Sequence, residues 1–478
     1  MASPTKFDTI VIGGGPGGYT AAIRLGQLKK SVLCIDRERV GGVCLNWGCM
    51  PSKALLHVGE VIAAAHEAAA MGIDFGGPPN VKLDKLNQWK SKMIDDLVNG
   101  IGTLFKVNKV EAITGDVEFV DTKSVRVKRQ DGRAEQLFAD NFVIATGSEP
   151  VALPDFERNS IQILNSDDAV TLNEIPKSIL ILGAGVIGLE FATIYKRLGA
   201  EVTVVEMMDR ALAETDIEVS NLLVRTLKQK QGINIFLKTK AVRAQEIGKR
   251  VRVTFEGEIA EPMDFEKILV AVGRRPRSAS LQLERAGVKA ERGFIPVDAT
   301  RRTNVPNIYA VGDITGPPLL AHKAMKEGVV AAEVIAGLPS AYDPLAVPNC
   351  VYTDPQVATV GMSEEQAKAA GYDVGVGRFR LAALGRARTI GLSDGMVKII
   401  TDKKTDLVLG VAIFSPMAEA MIAEAALGIE MGATAEDIGL TIHPHPTFSE
   451  PIMEAAEVLH GRAIHIANAP ATPVHAKT

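Results

Sequence analysis

Two of the four cysteines in this 478-residue chain lie five positions apart, in Gly41-Gly42-Val43-Cys44-Leu45-Asn46-Trp47-Gly48-Cys49-Met50-Pro51-Ser52-Lys53. Such a pair can exchange electrons two at a time by forming and breaking a disulfide. In an unbroken α-helix, residues five apart have Cα atoms roughly 8.5 Å from each other, whereas a disulfide wants about 5.5–6 Å. A regular helix therefore cannot carry the bridge. Gly48 relaxes the backbone and Pro51 lacks the N–H that a continuing helix uses, so a distorted turn is expected between the cysteines. Beyond it, Ala54 to Leu56 and Val61 to Ala65 predict helix, which makes Cys49 and Lys53 i,i+4 neighbours with a thiol and an ammonium on one face. By spacing alone the two cysteines read more readily as small buried hydrophobes. Their surroundings favour a redox pair.

A second candidate centre stands near the end, in His443-Pro444-His445-Pro446-Thr447-Phe448-Ser449-Glu450. Two of the eight histidines in a proline-stiffened stretch, with a carboxylate five residues after the second, suggest a base whose imidazole is oriented by an acid. A redox pair needs such a proton acceptor, because the thiolate is the reactive form. A metal site is the rival reading. It would need cysteine or carboxylate support, and the cysteines lie far away in sequence, so no metal is expected.

The elements that must position these groups are legible nearby. Phe7 to Ile12 is a short apolar strand that runs into Gly13-Gly14-Gly15-Pro16-Gly17-Gly18, after which Tyr19 to Gln27 predicts a helix. This is G-x-G-x-x-G in its strand–turn–helix setting. A second strand, Ser31 to Ile35, then delivers Asp36, an acid suited to a ribose, while Gly13, Gly15 and Gly18 let a pyrophosphate approach backbone N–H groups. The unit recurs as the strand Ser178 to Leu182, Gly183-Ala184-Gly185-Val186-Ile187-Gly188, a helix from Leu189 to Leu198, and a strand Glu201 to Val205 ending in Glu206. In both copies the acid lies 23 positions after the first glycine.

Charge distinguishes the two sites. Met207-Met208-Asp209 follows Glu206, so no arginine stands there to receive a 2′-phosphate, and NAD is expected over NADP. The first unit precedes the cysteine pair and should hold the group that exchanges electrons with it, which points to FAD. Each unit is completed alike: Ser124 to Lys128 leads through Asp131-Gly132, a hairpin signal, to Asn141–Ile144 and Ala145-Thr146-Gly147. Val251 to Phe255 leads to Ile268–Val270 and Ala271-Val272-Gly273. The chain then returns through Thr303 to Asp313, where Asp313 is either a ligand for ribityl hydroxyls or a helix N-cap.

From Pro344 onward the texture changes to mixed strands, such as Met396 to Ile400 and Leu407 to Phe414, with an alanine-rich helix from Glu419 to Met431 and a loose tail after Ile466. Composition sets the outer limits: 46% hydrophobic and 23% charged residues fit a globular chain of about three domains. A formal charge of −4 with no basic tract argues against nucleic acid. No apolar run is long enough to span a bilayer, and Met1 to Asp8 is too short and polar for a signal peptide. A cytoplasmic chain is therefore expected, in which a catalytic cysteine pair is favoured over a structural disulfide framework.

These motifs together resemble the disulfide-containing flavoprotein reductases, the class I pyridine nucleotide-disulfide oxidoreductase family, and within it the branch that oxidises dihydrolipoamide. The resemblance spans residues 6–465 and also rests on Leu319-Leu320-Ala321-His322 and on Tyr352 to Ala358. It implies an α/β fold of two Rossmann-like dinucleotide-binding domains, for FAD and NAD, with a C-terminal α+β dimerisation domain. The implied divisions are 1–148 for FAD, 149–275 for NAD, 276–345 as a central segment completing the FAD region, and 346–478 as the interface domain. It further implies a homodimer in which His445, oriented by Glu450, stands over the other subunit's disulfide, with Cys44 the interchange sulfur and Cys49 facing the flavin. Lys53 pairs with Glu190 near the flavin, and Gly115 gives it a backbone contact. Thr146, Gly147, Ser148, Asp313, Leu319, Leu320, Ala321 and His322 join the flavin set, and Gly183, Gly185, Gly188, Glu206 and Gly273 the second cofactor. The implied partners are lipoyl domains of 2-oxoacid dehydrogenase or glycine-cleavage complexes.

Other members of this family fit less well. Glutathione-type reductases are expected to favour NADP. Mercuric and thioredoxin reductases carry a further C-terminal cysteine pair, and here no cysteine follows Cys350. A transhydrogenase would not require the Cys44/Cys49 pair, and a purely docking flavoprotein would not require His445 and Glu450 as well. Trp47 and Pro444 depart from the commonest residues at their positions and bear on substrate breadth.

Overall fold

In the computed structural model, which describes residues 6–468, the first glycine unit opens a sheet of parallel strands ordered Val110–Thr114, Val32–Asp36, Lys6–Ile12 and Ala134–Ile144. The loose tail expected after Ile466 lies, from residue 469 on, outside the described residues. These strands are near-continuous apolar runs, as a sheet covered on both faces requires; Ile10, Val11 and Ile12 are buried. The long strand Ala134–Ile144 has two kinds of neighbour. Its first half pairs antiparallel with Ser124–Lys128 through the Asp131-Gly132 turn, and its second half pairs parallel with Lys6–Ile12 and Ile308–Ala310. The segment after the second unit thus returns to the first sheet.

The second unit repeats the plan, with parallel strands ordered Asn234–Phe236, Glu201–Val205, Ser178–Leu182, Lys267–Val270 and Ile163–Leu164. Chain enters and leaves it through one two-stranded link, Ser148–Pro150 against Arg274–Pro276. In both units the helix starts three residues earlier than the apolar pattern suggests, as Pro16–Gln27 and Val186–Arg197, because the turn glycine itself is the N-cap. Pro16 suits the first helical position, where its missing N–H has no partner to lose.

Five antiparallel strands, ordered Asn349–Val351, Gln356–Gly361, Val408–Ser415, Met396–Asp402 and Val374–Arg380, form the last sheet. The helices Ala418–Met431 and Glu450–Leu459 pack on it. This α+β layer is docked to the second unit by a buried cation. Lys398 is 2% exposed, and its Nζ donates to Asp216 Oδ2 at 2.8 Å and lies 2.8 Å from Glu364 Oε2. A buried ammonium is tolerable only with partners of this kind. Among the described residues no helix is long and apolar enough to cross a membrane.

Candidate active site

The two cysteines sit on separate helices. Gly42–Asn46 carries Cys44, Cys49–Glu67 begins at Cys49, and the chain breaks between them at Trp47 and Gly48, where Gly48 adopts φ −131° and ψ −104°. The break brings the cysteine Cα atoms to 4.6 Å, and the sulfurs are bonded. Pro51 takes no part in the distortion. It lies in the first turn of the second helix, where a missing N–H costs nothing. Asn46, which sequence reading passed over, braces the short helix: its amide donates to the carbonyls of Val40 and Gly42 at 3.2 and 3.0 Å, and its oxygen accepts from Arg39 Nε at 2.5 Å. A buried asparagine inside a helix is the signal that could have found it.

This helix pair lies directly on the first glycine turn. Gly42 has φ +58°, and a Cβ there would meet Gly15 Cα at 2.5 Å. Gly13 and Gly183 both sit at φ +105°, a region that favours glycine. Side chains at Gly18 and Gly188 would collide with the carbonyls of Gly13 and Gly183. Asp36 accepts from the Gly14 N–H at 2.6 Å, and Glu206 from the Ala184 N–H at 2.9 Å, so each acid is pinned to its own turn. The helices after both turns have no side-chain cap, and a Cβ at Gly185 would find no atom within 4 Å. Helix N-termini without a side-chain cap fit a pyrophosphate at each turn.

The joint between the two units gathers several of the remaining predicted residues, and the others lie in the first unit. Asp313 accepts from the Ser148 hydroxyl at 2.5 Å, and Ser148 Oγ accepts in turn from Arg274 Nε at 2.8 Å. Of the two readings left open for Asp313, the N-cap does not occur: Val311 is the cap of the short 3₁₀ helix Gly312–Thr315, and no side chain bonds there. Thr146 donates its hydroxyl to the Arg277 carbonyl at 2.8 Å, and Gly147 accepts from the Arg277 N–H at 3.0 Å. Gly273 accepts from the Val151 N–H at 3.0 Å. Gly115 donates to the Asp36 carbonyl at 2.9 Å, and a Cβ on it would press against Lys128 O at 2.8 Å. Leu319 precedes Leu320, which caps the helix Ala321–Ile335. The ring of His322 is turned to the Pro348 carbonyl at 2.7 Å.

Lys53 and Glu190 meet across the units, with Nζ 2.8 and 2.9 Å from the two carboxylate oxygens. The ammonium also lies 4.4 Å from the ring centroid of Tyr352, whose backbone N–H donates to Glu190 Oε1 at 3.0 Å. Burial pushes the Tyr352 hydroxyl up to about 12 and the nearby Cys350 thiol up to about 11, so both stay protonated.

His445 and Glu450 form the expected pair, Nδ1 to Oε1 at 2.7 Å, and the Thr447 N–H donates to Glu450 Oε2 at 2.7 Å. Burial alone would raise the Glu450 carboxyl, but the Thr447 and His445 hydrogen bonds outweigh it and hold the group below its ordinary range. The His445 side chain is 73% exposed, and among the described residues its hydrogen bond goes to Glu450 alone. It makes no bond to the cysteine segment of its own chain. His443 is different: its two nitrogens engage Thr441 O and Glu424 Oε1, both at 2.8 Å. Both partners are acceptors, which favours the form with both N–H groups, and the bond to Glu424 raises its pKa. Among the described residues, both nitrogens of His443 are engaged, whereas Nε2 of His445 has no partner.

Residues 7–328 match the family described as pyridine nucleotide-disulphide oxidoreductase, and residues 347–456 match that family's dimerisation domain. The chain is similar to a dihydrolipoyl dehydrogenase of Thermus scotoductus, 48% identical over 97% of this chain and 99% of the relative, and to one of Bacillus subtilis, 44% identical over 97% and 98%. Among solved structures it resembles LpdA from Mycobacterium tuberculosis, with TM-score 0.87, 26% identity and coverage of 95% and 99%. The flavoprotein disulfide reductase RclA from Escherichia coli, as its Cu(II) complex, gives TM-score 0.84 at 28% identity over 95% and 99%.

Proposed function

The chain belongs to the pyridine nucleotide-disulphide oxidoreductase family, and from that premise we propose that it reoxidises protein-bound dihydrolipoamide to lipoamide and passes the electrons to NAD⁺. FAD and NAD are its cofactors, and the Cys44–Cys49 disulfide is its redox centre. The observation that carries the reading is the seating of the disulfide-bearing helix on the first glycine turn, at Gly42 and Gly15. FAD bound at that turn would supply two-electron exchange between the cysteine pair and NAD⁺ held at the second turn.

The chain's own residues do the rest. His445 accepts a proton from a substrate thiol at Nε2, since Nδ1 is committed to Glu450. The substrate thiolate then attacks Cys44, so that a mixed disulfide forms and Cys49 leaves as thiolate. The second substrate thiol closes the dithiolane ring and gives its proton to His445 as His445 passes the first proton to the departing Cys44, so that Cys44 leaves as a thiol and lipoamide is released. Glu450 fixes the tautomer of His445 and favours its cationic form. Lys53, neutralised by Glu190, keeps a positive group beside the flavin without an unpaired charge. A carboxylate at Glu206 would repel a 2′-phosphate, which supports NAD over NADP.

The dimerisation domain supports a homodimer. We take His445 of one subunit to serve the disulfide of the other, since its free nitrogen finds no partner in its own chain. In our division, residues 1–148 and 276–345 hold FAD, 149–275 hold NAD, and 346–478 form the subunit interface. The partners we assign are lipoyl domains of 2-oxoacid dehydrogenase or glycine-cleavage complexes, in the cytoplasm.

Purified protein should be yellow and should reduce NAD⁺ with dihydrolipoamide, and Cys44→Ser should abolish that turnover while flavin stays bound. NADPH-dependent reduction of glutathione with no lipoamide turnover would overturn the assignment.

A further inference from the structure

Each turnover of a redox cysteine pair opens its bond and must bring the two sulfurs together again. The groups that hold Cys44 in place therefore matter most while the bond is open, and none of them uses the sulfur. The helix Gly42–Asn46 is fixed at its start by the Gly41 N–H, which donates to the Gly14 carbonyl at 2.8 Å. Along its length Leu45 packs, with Val40, against the core cluster that holds Leu25, Ile101 and Phe105. At its end stands Asn46, which is 4% exposed. The Asn46 amide donates back to the carbonyls of Val40 and Gly42 at 3.2 and 3.0 Å, so one side chain closes the helix on the segment that leads into it.

The same residue reaches outward. Its oxygen accepts from Arg39 Nε at 2.5 Å, and Arg39 Nη1 donates to Asp95 Oδ1 at 2.8 Å, on the helix Leu83–Val107. The Arg39–Asp95 contact is exposed and contributes little by itself. The buried amide is different, because both of its N–H donors and its oxygen are matched at once. Across the break, Cys49 is held independently. The Ser52 N–H donates to the Gly48 carbonyl at 3.0 Å, the Ser52 hydroxyl donates to the Cys49 carbonyl at 3.2 Å, and Lys53 ties the helix to Glu190. The disulfide and the Asn46 brace thus order the same five residues from opposite sides. Two constraints on one segment support each other, and loss of either weakens the other by the same factor.

We propose that Asn46, supported by Arg39, is a positioning residue for the redox pair: it keeps Cys44 within reach of Cys49 after the bond opens, and so sets how strongly the dithiol favours closure. The proposal rests on the reading of Cys44 and Cys49 as the redox centre. The test equilibrates the FAD-loaded full chain with mixtures of reduced and oxidised dithiothreitol, whose two thiols reduce the Cys44–Cys49 bond as the reagent becomes its cyclic disulfide. Alkylation and peptide mass spectrometry then count the chains open at Cys44 and Cys49. Asn46→Ala frees the segment chiefly in the open form, because in the closed form the disulfide still orders it. The equilibrium constant for closure should fall about ten-fold, from the loss of two buried hydrogen bonds, which is about 30 mV for a two-electron couple. Asn46→Asp keeps the acceptor for Arg39 but neither donor, and should fall at least as far. Lys398→Ala, which weakens the fold from the last domain, should leave the constant at its wild-type value. A wild-type constant in either Asn46 variant overturns the proposal. So does an equal fall in Lys398→Ala, which would reduce the effect to general stability.

If Asn46→Ala loses its flavin, hydrogen exchange in the wild type decides instead. The Leu45 and Trp47 amides, bonded to the Gly41 and Val43 carbonyls, should stay protected after dithiothreitol opens the bond, and loss of that protection overturns the proposal. A wild type that opens and closes its bond with dithiothreitol but does not turn over dihydrolipoamide counts against the functional reading alone.

Discussion

Lys53 and Glu190, 137 residues apart in the chain, form a two-point ion pair at 2.8 and 2.9 Å between the helix that carries Cys49 and the helix that opens the second nucleotide unit. The carboxylate side chain is 6% exposed and the lysine 30%. One contact thus ties the redox helix to the second nucleotide unit. Glu190→Gln removes the charge that compensates a partly buried ammonium. Removal of one partner from a fully buried pair costs about 3–5 kcal/mol, and the exposure of Lys53 lowers the expected loss to about 1–3 kcal/mol. Urea unfolding of flavin-loaded wild type and variant measures it, and Lys53→Met in the same background should recover part of the loss.

Glu450 is expected to act through His445 alone. Glu450→Gln leaves a hydrogen-bond partner for Nδ1 but takes away the charge that stabilises the imidazolium, so kcat for dihydrolipoamide should fall by about 10²-fold, the low end for a general base. Flavin content should not change. An equal loss of flavin would mean that Glu450 holds the fold rather than the base.

The glycines of the second turn separate packing from ligand binding. A Cβ at Gly188 would strike the Gly183 carbonyl, whereas one at Gly185 would meet no atom within 4 Å. Gly188→Ala should destabilise the fold. Gly185→Ala should fold normally, retain FAD, and raise KM for NAD⁺ by about 10-fold, because it occupies space reserved for the pyrophosphate. Thermal unfolding and steady-state kinetics on the two variants decide it, and an unchanged KM in Gly185→Ala would place the dinucleotide elsewhere.

The stability of the last domain should be acid-sensitive. Hydrogen bonds from Lys368 and Lys398 hold the Glu364 carboxyl down at about 2, below the ordinary glutamate value of about 4.3. A carboxyl depressed by folding contributes stability that is complete above its unfolded value and is lost as pH falls toward its folded value. That contribution should therefore fade between about pH 4.5 and pH 2, and Glu364→Gln should flatten the stability profile in this window. Lys398→Ala, which leaves the buried Asp216 carboxylate without its cation, should cost about 3–5 kcal/mol at neutral pH.

Much of the site is local and could be read in order. The glycines of both turns, the acids that follow at equal spacing, the Asp131-Gly132 hairpin and the His445–Glu450 pair are short-range patterns in which the backbone itself demands the residue. The break between the cysteines was legible for the same reason, although Gly48 accounts for it and Pro51 does not. Other relationships were hidden. Lys398 lies in a strand whose apolar neighbours say only that the strand is buried, and nothing near it in sequence announces Asp216 or Glu364. Ser148 and Asp313 meet only because the chain leaves the first unit and returns through one two-stranded link. Nothing in the sequence around His465 announced Glu454, on which its loop closes.

By itself, the sequence determined the local groups to which we assign the chemistry: a cysteine pair that cannot lie in one helix, two glycine turns, and a histidine followed by its acid. Tertiary structure alone decided which distant charges compensate one another, and that the buried Glu454 holds a second imidazole. Turn geometry is dictated by dihedral sterics within a few residues, whereas the partner of a buried charge is chosen by how whole domains pack, over separations that no local pattern spans.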